Sequence, residues 1–249
     1  SAADKDIRAG LMFPVTIKIP GADENYLYNY PMIGKSYHID NLTYESEPEY
    51  GVIEISLDSV VELQKTSDEH YIYMDFLTPH EVYDKVVVID AGHGGSDPGT
   101  SGNGLIEKEY TLKFADYLNR RFNELGANST LVRSIDETVT PTERVNRILN
   151  AYGNSPDVLV ISNHLNAGGS SGAEVIYALR NNDTLSKLIL ENLSKEGQSI
   201  RKAYQRRLPS DNSKDYYFIH RNTGVTEPII IEYGFLDNKG DAERIKNNW

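Results

Sequence analysis

Two textures of hydrophobic patterning divide the chain. From residue 1 to about residue 80 single apolar positions alternate with polar ones: Val15, Ile17 and Ile19 in VTIKI, Ile53 and Ile55 in VIEIS, Ile72, Met74 and Phe76 in YIYMDF. A period of two belongs to half-buried antiparallel strands, so residues 1–80 are read as a small β-rich domain, a targeting or packing module. Thr78 to Lys85 carries a proline and forms the boundary. Beyond it the apolar residues come in unbroken runs, Val86–Ile89, Val158–Ile161 and Ile229–Ile231, which suit strands covered on both faces in a parallel sheet.

Helical patterns lie between these runs. Lys108 to Leu125 places Ala115, Leu118, Phe122 and Leu125 on one face and closes at Gly126, an amphipathic helix with a glycine stop. Thr140-Pro141-Thr142-Glu143 has the residue order of a capping box and opens a helix ending near Gly153. STLVRS (129–134) and EVIYAL (174–179) are read as strands, Thr184 to Arg207 as one long helix, and Pro209 to Thr226 as a polar loop near the functional site. The last stretch, DAERIKN, starts a helix that is expected to be truncated. The fold expected is α/β, a mainly parallel sheet flanked by helices on both faces over residues 85–249, preceded by the small β-rich domain.

Three of the apolar runs deliver a chemically capable side chain. His93 follows the first run inside a glycine-rich turn, His164 ends DVLVISNH, and Glu232 ends PIIIE. Parallel strands bring their carboxyl ends together, where ligands bind in α/β sheets. Two histidines and a carboxylate make a ligand set for catalytic zinc. The carboxylate candidates are Asp90, Asp97, Glu107, Glu109 and Glu232. Glu107 is favoured by its place at a loop-to-helix junction; Asp90 could equally fix its loop through backbone hydrogen bonds. His38, His70, His80 and His220 lack such a context and are read as surface or structural.

Composition narrows the chemistry further. A net charge of −12 over 249 residues disfavours nucleic acid and anionic lipid as partners. With no cysteine, disulfides and thiolate metal sites are excluded. No apolar run approaches the ~20 residues of a membrane helix. Ser1-Ala2-Ala3 reads as an added tail, with any export or anchor segment expected upstream. A serine-hydrolase reading of HGG and of Gly168-Gly169-Ser170-Ser171-Gly172 fails on context, because a nucleophile elbow leads into a helix and Ser170 leads into EVIYAL.

The succession VVVIDAGHGGSDPG, GLIEKE, Arg144, VISNHLNA and PIIIEYGFLDN resembles the zinc-dependent N-acetylmuramoyl-L-alanine amidases of bacterial cell walls, from Lys85 to about Lys246. The resemblance implies His93, Glu107 and His164 as zinc ligands and Glu232 as the catalytic carboxylate. It also implies hydrolysis, by zinc-activated water, of the amide joining N-acetylmuramic acid to L-alanine in peptidoglycan, outside the cytoplasmic membrane and in a secreted or wall-associated setting. Asn163 and Leu165 depart from the isoleucine and alanine that often flank the second histidine, which bears on substrate preference. The alternatives are a zinc peptidase acting within the stem peptide and a non-catalytic wall-binding module.

Overall fold

A computed structural model of the protein describes residues 14–58 and 60–247, apart from the side chains of His80 and Tyr83. Ser1-Ala2-Ala3, Trp249 and the His80 imidazole lie outside the described residues. The chain falls into two units, one holding the residues up to Asp84 with Glu124–Gly126, the other Lys85–Asn123 and Ala127 onward.

In the first unit β1 (Val15–Pro20), a turn of helix α1 (Tyr26–Asn29), β2 (Ile39–Ser46) and β3 (Tyr50–Leu57) precede a hairpin of β4 (Glu62–Ser67) and β5 (Ile72–Leu77) and a short α2 (Pro79–Tyr83). Strands β1, β3 and β2 form an antiparallel sheet in that order, with Ile17 opposite Ile53 and Val15 opposite Ile55. The alternation seen in the sequence is the pleat itself: Ile53 and Ile55 are buried and Glu54 between them is exposed. His38 is half-buried between Asp58 and Glu81, and His70 is exposed.

The second unit opens with β6 (Val86–Ala91), a small ladder of β7 (Ser101–Gly102) and β8 (Leu105–Ile106), and helix α3 (Glu107–Glu124). Next come β9 (Asn128–Leu131), α4 (Pro141–Tyr152), β10 (Val158–Asn166), β11 (Ala173–Tyr177), α5 (Thr184–Lys195) and β12 (Ile200–Tyr204). The chain continues through β13 (Arg207–Leu208), β14 (Asp211–Asp215), α6 (Phe218–Asn222), β15 (Glu227–Phe235) and α7 (Lys239–Asn247). No helix among the described residues is long and apolar enough to cross a membrane.

Six strands make the central sheet in the order β12-β11-β15-β10-β6-β9. Strands β15, β10, β6 and β9 are parallel neighbours, but β11 runs antiparallel to β15. The sheet is therefore mixed. The connection 167–172 between β10 and β11 is too short for the crossover a parallel strand requires, so the chain turns back. Alternate residues of the strands feed two cores. Val87, Ile89, Ile161, Val175, Ile229 and Ile231 meet Ala115 of α3 and Leu190 of α5. Val88, Val158, Val160, Ile176 and Ile230 meet Ile148 of α4 and Ile219 of α6.

Helix α4 begins as its sequence dictates. The Thr140 hydroxyl accepts from the Glu143 amide at 3.2 Å, Pro141 occupies the first turn and Gly153 closes the helix. The Glu143 carboxylate pairs with Arg147 at 3.0 Å instead of returning to the cap.

Two expectations fail here. The long helix expected over Thr184–Arg207 stops at Lys195, because Gly197 turns into the left-handed region (φ 81) and the following residues pair along β11 as edge strand β12. The segment Pro209–Thr226 is not a plain loop: it holds β14 and α6, whose Ile219 and His220 are buried.

Candidate metal centre

Strand β6 ends at Ala91 and the chain passes close under β10, where the Gly92 amide donates to the Asn163 carbonyl at 3.0 Å. A side chain at Gly92 would strike the His164 imidazole. Glycine is thus required by the close approach of backbone to ring. The next residue, His93, adopts φ 61, a left-handed conformation that costs a non-glycine residue energy and persists only where the surroundings impose it.

Two buried arginines impose it. Arg144, in the first turn of α4, donates to the Ala91 carbonyl at 2.7 Å and the His93 carbonyl at 2.9 Å and pairs with Asp90. Arg133 donates to the carbonyls of Ala91 at 3.0 Å and Gly92 at 3.1 Å. The Asp90 carboxylate also accepts from the Ser162 hydroxyl at 2.7 Å, so Asp90 anchors Arg144 and β10 and lies outside the donor cluster.

Glu107 is the first residue of α3, where the helix dipole favours a carboxylate. It is 3 % exposed. Its Oε2 accepts the Thr100 amide at 2.7 Å and its Oε1 the Leu165 amide at 2.9 Å. The same Oε1 lies 3.0 Å from His164 Nδ1 and 3.2 Å from His93 Nε2. His93, Glu107 and His164 thus offer two imidazole nitrogens and a carboxylate oxygen within 4.8 Å of one another.

This donor set fits a zinc ion. The other ring nitrogen of His93, Nδ1, donates to Asp97 at 2.8 Å, which fixes the tautomer and leaves Nε2 as the ligating atom. The electrostatics also call for positive charge between the three groups. Burial pulls the His93 imidazole down, yet Glu107 and Asp97 outweigh it and hold it at about 9. His164 is raised against its own burial by Glu107 and Glu232. Burial pushes Glu107 up, and the two imidazoles more than reverse this, holding it well below the ordinary carboxylate range.

Glu232 sits opposite His164 in the β10–β15 register. With His93 and His164 it lines a cavity of about 170 Å³ whose lining also includes Val139, Tyr217 and Ile219. It is half-buried, and its Oε2 is wholly buried with no hydrogen-bond partner among the described residues. Burial pushes its carboxyl up to about 7, with Glu107 and Glu174 adding to the rise and His164 opposing it. Such a carboxyl is poised to exchange a proton near neutral pH.

The remaining candidates fall elsewhere. Asp97 backs His93, and Glu109 is exposed on α3. Asn163 is buried and bridges strands, accepting from the Tyr233 hydroxyl at 2.7 Å and donating to the Asp90 carbonyl at 2.9 Å, while Leu165 packs in a core with Leu105, Tyr110 and Leu236. Ser170 pairs with Arg201 and is followed by β11 instead of a helix. His220 is fully buried, with no hydrogen bond to either ring nitrogen among the described residues and Asp215 3.9 Å from Nδ1; burial drops it to about 3. Sequence reasoning missed the work of Arg133 and Arg144. The available signal was Arg144 in phase with Ile148 on the buried face of α4, a position where a cation needs a reason.

The sequence model of the N-acetylmuramoyl-L-alanine amidase family matches residues 87–249. N-acetylmuramoyl-L-alanine amidase CwlM of Bacillus licheniformis is 35% identical over 165 residues, 65% of this chain and 61% of that protein. N-acetylmuramoyl-L-alanine amidase LytC of Bacillus subtilis is 31% identical over 168 residues, 66% of this chain and 32% of that protein. Among solved structures, Cwp6 from Clostridium difficile superposes with a TM-score of 0.59 at 32% identity, over 66% of this chain and 26% of that one. The chain thus spans about three fifths of CwlM and a third of LytC.

Proposed function

Since this chain belongs to the N-acetylmuramoyl-L-alanine amidase family, we propose that it hydrolyses the amide between N-acetylmuramic acid and L-alanine in peptidoglycan, with zinc held by His93, Glu107 and His164. The observation that carries this reading is the meeting of those three donors at the strand ends, with Glu232 lining the same cavity. Bound zinc would acidify water to a pKa of about 7 and polarise a carbonyl. Glu232 would accept a proton at its carboxylate and return it to the departing amine of L-alanine. Asp97 keeps His93 in the ligating tautomer, and Arg144 and Arg133 hold its backbone in place. Residues 85–249 would carry the catalysis and residues 1–80 a targeting or packing role, at a site of action outside the cytoplasmic membrane.

Digesting purified peptidoglycan and identifying the opened bond by mass spectrometry tests this. The expected products are a peptide with L-alanine at its free amino end and a glycan whose lactyl group ends in a carboxylate. A cut inside the stem peptide would instead mark a zinc peptidase, and binding without any cut a wall-binding module.

A further inference from the structure

Beside the cavity stands a cation with no counter-charge among the described residues. Arg206 lies between β12 and β13 with its guanidinium against two aromatic rings, 3.8 Å from the Tyr216 centroid and 5.8 Å from that of Tyr217. It also donates to the Tyr217 hydroxyl at 3.3 Å. Tyr217 is itself a wall of the cavity that holds His93, His164 and Glu232. The support beneath is ordered: the Tyr216 amide donates to the Arg206 carbonyl at 2.8 Å, and Arg221 donates to the carbonyls of Asp215 and Tyr216, both at 2.8 Å.

Three of the neighbouring cations are already engaged. Arg201 pairs with Glu174 at 3.0 Å, Lys214 with Asp211 at 2.9 Å, and Arg207 donates to the Asn212 carbonyl at 2.6 Å. Arg206 alone among these makes no ion pair or carbonyl contact with the described residues; its partners are the two tyrosines. Aromatic stacking leaves the edge of a guanidinium free, and that edge is a planar fork matched to a carboxylate.

We propose that Arg206 is a specificity-determining residue which reads a carboxylate on the peptide side of the scissile amide, so that the preferred substrates are muropeptides carrying a free acid there. This deepens, and rests on, the amidase reading of the site. The carboxylate can come from the free end of an uncrosslinked stem peptide or from a side-chain or α-carboxyl group within it.

Three soluble muropeptides distinguish these sources: the free acid, the form amidated within the peptide, and the form amidated at its carboxyl end. Kinetics of the wild type and of Arg206→Gln on all three are compared. The wild type is expected to show a KM roughly tenfold lower for the free acid than for one of the amidated forms, the magnitude of a partly exposed charge-assisted hydrogen bond. The amidation that removes the preference identifies the carboxylate. Arg206→Gln is expected to raise the KM of the free acid to that of the amide, with zinc content and melting temperature as in the wild type. The preference should also shrink between about 0.05 and 0.5 M salt. Equal KM values for all three forms in the wild type, or an undiminished preference in Arg206→Gln, would overturn the assignment and leave the amidase reading standing. If no form is cut between the lactyl group and L-alanine, both fall together.

Discussion

Replacing Glu232 by glutamine should cost activity and add stability, and the two effects have one cause. In the folded protein the Glu232 carboxyl keeps its proton up to about pH 7, against an ordinary value of 4.5, because its Oε2 is buried without a partner. Between those values the folded state binds more protons than the unfolded one, so the contribution of Glu232 makes the protein less stable as pH rises through that window. At about 1.4 kcal/mol per pH unit, the loss above pH 7 is about 3 kcal/mol as an upper bound. Glutamine has the same shape and no charge to bury. In zinc-free protein, Glu232→Gln and the wild type are therefore expected to melt close together near pH 5, and the variant to melt about 6–12 °C higher near pH 8. Loading zinc should narrow the gap, since a nearby dication favours the carboxylate. Turnover of the zinc-loaded variant should fall roughly 10²- to 10⁴-fold with the metal retained. Melting curves followed by circular dichroism at both pH values, with and without a chelator, decide the matter. A difference independent of pH, or a variant less stable near pH 8, would refute the account of Glu232 as a carboxyl strained by burial; loss of zinc would make it a ligand.

The other expectations concern how the site is held. His164→Ala removes one of three protein donors, so elemental analysis should find reduced zinc together with reduced activity, and chelation of the wild type should abolish activity until zinc is returned. Arg144→Lys keeps a charge beside Asp90 but cannot span both the Ala91 and His93 carbonyls; zinc affinity, measured by competition with a fluorescent chelator, should fall roughly 10- to 100-fold, and an unchanged affinity would show that the arginine merely fills space. A protein shortened to residues 85–249 should still bind zinc, and loss of the metal on shortening would show that the first 84 residues help to build the site.

What could be read from the sequence follows from which constraints are local. His93, His164 and Glu232 each close an apolar run, and strands β6, β10 and β15 are parallel neighbours, so the ends of those runs meet in space. Thr140 and Pro141 announce α4 because capping is settled within four residues. Strand β12 was hidden for the opposite reason. Its RKAY is polar and lies at a sheet edge, so it shows neither the run of a buried strand nor a helical stripe, and only Gly197 marked the break. The reversed direction of β11 follows from the connection 167–172, which leaves no room for the crossover a parallel strand needs. Arg133 carries no such local signal because arginine defaults to the surface, and its burial depends on carbonyls supplied from far along the chain.

The guanidinium clamp on residues 91–93 has a consequence for how this protein can change. Arg133 and Arg144 grip carbonyl oxygens, atoms that every amino acid brings to its place in the chain. Apart from Asp97, no side chain of the segment from Gly94 to Asn103 holds the His93 ring. The aim of the histidine and the identity of the surrounding loop are therefore written in different atoms. Mutations of the loop can alter what it touches without turning His93 away from Glu107, provided they spare Gly94, Gly95 and Gly99, where a side chain would strike Glu137, Thr138, or His93 and Glu107 themselves.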